Sequence, residues 1–99
     1  MPTNEDPSIP DSLHQLAIQL GQPLDRAIID SVYQHAQNLL SHISPTPVTL
    51  ARVAGVLLVY HIQNPEAEEL KWFNAQIEQC VDDEEVEESI ESLHRIDGL

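Results

Sequence analysis

The chain has 99 residues, one cysteine and a formal net charge of -13, from 17 acidic and 4 basic residues. That length suits one domain whose core needs no metal, and a lone cysteine excludes an intrachain disulfide framework. Arg26, Arg52, Lys71 and Arg95 do not cluster, so neither a nucleic-acid backbone nor an anionic membrane finds the cationic face it needs.

Residues 1–10 carry Pro2, Pro7 and Pro10 among polar residues and read as a flexible tail ahead of a single domain at 11–99. The start lacks the charged-then-apolar pattern of a signal peptide, so a cytoplasmic protein is expected. Asp11 or Ser12 can cap a first helix over Leu13 to Leu20, with Leu13, Leu16, Ala17 and Leu20 on one face and Gly21 as its stop. Pro23 then opens a second helix to about Ile43. Its apolar residues Leu24, Ala27, Ile28, Val32, Ala36, Leu39, Leu40 and Ile43 recur at three- and four-residue steps.

Thr46 to Ile62, TPVTLARVAGVLLVYHI, is the most apolar stretch of the chain. Thr49, Arg52 and His61 interrupt it too soon for a membrane span, which needs about 18 apolar residues. VLLVYHI could be a buried strand by composition, but no second segment offers a pairing edge, and an unpaired strand leaves its backbone groups unsatisfied. The stretch is therefore read as a central helix at about 47–62, capped by Thr46 or Thr49 with Pro47 in its first turn. A helix apolar nearly all round must be covered nearly all round. PVTLARVAGV resembles the opening of a helix-turn-helix motif, yet LLVYHI follows where a recognition helix needs base-reading side chains.

Asn64 and Pro65 read as the N-cap and first position of a fourth helix, reaching about Cys80, with Leu70, Phe73 and Ile77 buried. A last apolar stripe is Val86, Ile90 and Leu93. At about 100° per residue the two stripes would face opposite sides of one continuous helix. Asp82 and Glu85 have capping-box spacing and favour a break, giving an acidic C-terminal helix at about 82–97. The expected fold is all-α: a compact bundle of four to five short helices around the buried central one.

Twelve of the 17 acids fall within residues 66–99, and seven of the ten residues from Asp82 to Glu91 are acidic. This block either meets a basic partner, by direct contact or by imitating nucleic-acid charge, or is a solvated helix face. Trp72 lies off the Leu70–Phe73–Ile77 face, where tryptophan serves either as an interface anchor or as core. The candidate partner-binding residues are Trp72, Glu84, Glu85, Glu87, Glu88 and Glu91.

Catalytic and metal chemistry have weaker signals. His14, His35, His42, His61 and His94 show no zinc spacing, and Glu91-x-x-His94 occurs once where di-iron bundles use the pattern twice. Asp82-Asp83-Glu84-Glu85 lacks the mid-loop glycine of a calcium loop. Cys80 precedes a run of acids, the wrong setting for a thiolate nucleophile. No cofactor or catalytic residue is expected. The leading expectation is a non-enzymatic acidic interaction module binding a basic protein as a regulator, inhibitor, assembly factor or chaperone. The alternatives are a homodimeric structural subunit, suited by two opposed apolar faces on one long helix, and a metal-binding or enzymatic bundle.

Overall fold

The computed structural model describes residues 8–97, with side chains from 9 to 95. Five helices follow one another: α1 (Ser8–Gln19), α2 (Arg26–Leu39), α3 (Pro47–Gln63), α4 (Glu68–Gln79) and α5 (Asp83–Asp97), with no strand among the described residues. The radius of gyration, 13.0 Å, is what a folded chain of about 100 residues has.

The first helix starts earlier than the sequence suggests. Ser8 to Pro10 form its opening turn, where a proline costs no hydrogen bond, and Ile9 is buried in line with Leu13 and Ala17. The proposed tail thus loses its last three residues to α1, and residues 1–7 lie outside the described part. Gly21, at φ +81°, ends the helix. Its N–H donates to the Ile18 carbonyl and that of Gln22 to Ala17, the paired bonds of a Schellman motif.

The second helix is shorter at both ends than its apolar pattern. Asp25 takes the extended N-cap conformation, so Pro23 stays in the connector. At the other end Leu40 is the C-cap, and the Ser41 and Ile43 N–H groups donate back to Asn38 and Leu40 in tight turns. Its buried face is Ile29, Val32, Ala36 and Leu39. Ala27, read as core, is exposed, and Ile28 is half-buried.

The third helix is the centre, packing against α1, α2 and α5. Thr46 caps it, accepting from the Thr49 N–H. Val53, Ala54, Val56, Leu57, Leu58 and Tyr60 are buried. Cover is incomplete at its first turn, where Val48 stands exposed.

The fourth helix starts at Glu68, not Pro65. Asn64 and Pro65 are the first two residues of a tight turn, closed by the Ala67 N–H donating to the Asn64 carbonyl at 3.1 Å. Asn followed by Pro fits positions i and i+1 of such a turn as well as it fits a helix start. Phe73 and Ile77 are buried as expected; Leu70 is only half-buried.

The chain then breaks between Cys80 and Asp82. Asp82 Oδ1 accepts from the Glu85 N–H at 3.0 Å, and Glu85 Oε1 accepts from the Val81 N–H at 3.0 Å, a reciprocal cap that starts a new helix. The opposed apolar stripes therefore belong to two helices. Phe73, Ile77, Val86, Ile90 and Leu93 all lie in one core, each 0–1% exposed. The single two-faced helix that would have suited a homodimer is not formed.

Candidate functional site

The acidic block has to be sorted residue by residue, because the fold uses part of it. Asp82 and Glu85 cap α5, as described. Asp83 Oδ2 accepts from the Thr46 N–H at 3.0 Å. Glu87 Oε2 accepts from the Thr49 hydroxyl at 3.0 Å, and Glu87 pairs with Arg52. Two carboxylates of α5 thus sit at the N-terminus of α3, where a helix leaves orphan N–H groups and partial positive charge. They fasten the acidic helix to the central one.

Glu84, Glu88 and Glu91 remain. All three are exposed, and none makes a hydrogen bond or ion pair among the described residues. At about 100° per residue they share one side of α5, opposite the buried Val86, Ile90 and Leu93. Arg95 continues the same side and bonds to Ser92 Oγ.

Trp72 comes to this helix from α4. It is half-buried and packs against the core. With Gln76, Cys80, Glu85, Glu88 and Ser89 it lines a cleft of about 320 Å³ between α4 and α5. The tryptophan and two of the named glutamates therefore share one concavity. Glu84 and Glu91 lie beyond it on the open side of α5, and Glu87 faces the other way, toward α3.

Cys80 lies at the base of the cleft, 5% exposed. Its thiol donates to the Gln76 carbonyl at 3.2 Å, and its sulfur lies 3.7 Å from the Ser89 hydroxyl. Burial pushes the thiol pKa up; Ser89 opposes this, while the charges of Glu85, Asp82 and Glu88 add to it. Such a thiol is a poor nucleophile. His42 Nε2 lies 2.8 Å from the Cys80 carbonyl. Its N–H closes the end of α4 from the α2–α3 connector, a role that no spacing in the sequence signals.

No group of three His, Cys, Asp or Glu side chains among the described residues is placed to hold a metal ion. No helix among them is long and apolar enough to cross a membrane. The class defined by the fold is an all-α five-helix bundle with an acidic, tryptophan-edged cleft. Comparisons with family models, with curated proteins and with solved structures give no match.

Two further features escape the sequence reading. A cavity of about 490 Å³ lies among α2, α3 and α4, lined by Ala27, Ile28, Leu57, Leu70 and Asn74 with His35 and His61. Asn74 Oδ1 is buried with no hydrogen-bond partner among the described residues. Ala27 and Ile28, read as part of the apolar stripe of the second helix, line this space instead of filling the core.

Proposed function

We propose that this chain is a small non-catalytic interaction module that binds a basic segment of a partner protein across α4 and α5. The observation that carries the reading is the division of the acidic block. The fold engages Asp82, Asp83, Glu85 and Glu87, and leaves Glu84, Glu88 and Glu91 exposed beside the Trp72 cleft. Exposed like charges without a hydrogen-bond or ion-pair partner repel one another, and a cationic partner relieves that repulsion. Trp72 supplies apolar contact area at the edge of the charged stripe, the combination that concentrates binding energy at interfaces. Steering by the net charge of -13 speeds encounter with such a partner and makes it salt-dependent. Regulator, inhibitor, assembly factor and chaperone all fit this mode of binding.

The reading is tested with a decalysine peptide titrated against the fluorescence of Trp72, the one tryptophan. Wild-type protein is compared with a triple variant, Glu84→Lys, Glu88→Lys and Glu91→Lys. The control carries Glu66→Lys, Glu68→Lys and Glu78→Lys, the same charge change away from the stripe. The proposal expects saturable binding by wild type and control, and none by the stripe variant. Equal loss in both triple variants would reduce the effect to net charge and overturn the assigned surface.

A further inference from the structure

We infer that the cleft between α4 and α5 seats one arginine side chain of the basic partner, its guanidinium stacked on the Trp72 indole and held by the Glu88 carboxylate. This names the residue that the α4–α5 surface selects, and it rests on that surface being where the partner lands. The cleft, about 320 Å³, lies at the small end of binding pockets, roughly 300–1,000 Å³, a size for one side chain rather than a helix. Its lining combines the Trp72 ring, the carboxylates of Glu85 and Glu88, the carboxamides of Gln76 and Gln79, and serine hydroxyls. No Lys or Arg is part of it.

The fold already uses some of these groups. Glu85 Oε1 accepts from the Val81 N–H at 3.0 Å, Ser92 Oγ accepts from Arg95 at 3.3 Å, and Ser89 lies against the Cys80 sulfur. The open groups are Trp72 and Gln76, both half-buried, and Gln79 and Glu88, both exposed. The side chains of Gln76, Gln79 and Glu88 have no hydrogen-bond or ion-pair partner among the described residues, and all of them reach solvent, so a ligand can meet them. An aromatic face beside an unpaired carboxylate attracts a cation. Among cations, the guanidinium fits this lining best. It is planar, stacks on aromatic rings, sheds water more readily than an ammonium and brings a fork of N–H donors for carboxylate and amide oxygens. A methylated ammonium has no use for those acceptors and is held by cages of several rings, whereas Trp72 is the one aromatic residue in the lining.

The test uses lysine peptides that differ only at the central residue, which is arginine, lysine or citrulline; citrulline keeps the planar shape and loses the charge. Each is titrated into the full chain by calorimetry, so that variants without tryptophan can be read. The expected result is that wild type binds the arginine peptide about two- to tenfold more tightly than either of the others, the worth of a cation–π contact at a partly exposed ring. Trp72→Leu should erase that preference while the lysine peptide still binds through the exposed glutamates, and Trp72→Phe, which keeps a ring, should retain part of it. Glu88→Gln, at an exposed position where the fold is not at risk, should also lower the ratio of arginine to lysine affinity. Equal binding of the three peptides by wild type, or a preference unchanged in both Trp72→Leu and Glu88→Gln, would overturn the arginine site and leave the α4–α5 surface standing. Binding of none of them would overturn this inference together with the reading it rests on.

Discussion

Glu87→Ala should destabilise the protein by about 2 kcal/mol, whereas Glu88→Ala, one residue on, should change stability by no more than about 0.5 kcal/mol. Two contacts set the first figure. The Thr49 hydroxyl donates to Glu87 at 3.0 Å, and Thr49 is only 3% exposed. Removing its acceptor costs about 1–3 kcal/mol, because the buried donor is left poorly satisfied. The Arg52–Glu87 pair has both side chains partly in water, so screening holds its contribution to about 0.2–1 kcal/mol. Relief of repulsion in a strongly acidic chain offsets part of the sum. Glu88 is exposed and has no partner among the described residues to lose. Urea unfolding followed by circular dichroism measures both variants. For a chain of this size the Glu87→Ala loss corresponds to about 8–16 °C in Tm. A Glu87→Ala variant as stable as Glu88→Ala would refute the division of the acidic block into engaged and free carboxylates.

Four further outcomes follow from local geometry. A methyl group added at Gly55 meets only Leu16 Cδ2, at 4.0 Å, so Gly55→Ala should stabilise by about 0.5–1 kcal/mol through helix propensity; Gly21→Ala, forced to hold φ +81°, should destabilise by about 1 kcal/mol. Asp82→Ala removes the α5 cap and should cost about 0.5–2 kcal/mol in the same unfolding assay. The Cys80 thiol is held protonated by burial, with its pKa raised above the usual 9.0. Its contribution to stability is therefore complete below pH 9, and is lost as pH rises through the folded value. Labelling by a thiol reagent should be slow in native protein at pH 8 and fast in urea; equal rates would contradict the burial.

Much of the bundle is legible in the sequence because its determinants are local. The Leu13–Ala17 face, the Thr46–Pro47 start of α3 and the Asp82–Glu85 cap each depend on residues within one or two turns. The Asn64–Pro65 start failed for a local reason too: the same dipeptide satisfies a tight turn. The roles of the acids are a different matter. Asp83 meets Thr46 across 37 residues, Glu87 meets Thr49 across 38 and Arg52 across 35. No spacing within the acidic run distinguishes those two carboxylates from Glu84, Glu88 and Glu91. Side-chain direction on α5 decides it, and that direction is set only when Val86, Ile90 and Leu93 enter the core beside α3 and α4. The cavity was hidden likewise, since Ala27 and Ile28 satisfy the helical period whether they fill a core or line a space.

Capture from a lysate of the native host tests the central claim most directly. The immobilised wild-type chain is loaded near physiological salt and washed at high salt, beside the Glu84→Lys, Glu88→Lys, Glu91→Lys variant and its charge-matched control. The account predicts a basic protein held by wild type and control, released as salt shortens the screening length from about 8 Å, and absent from the stripe variant. The same protein retained on the stripe variant would contradict it.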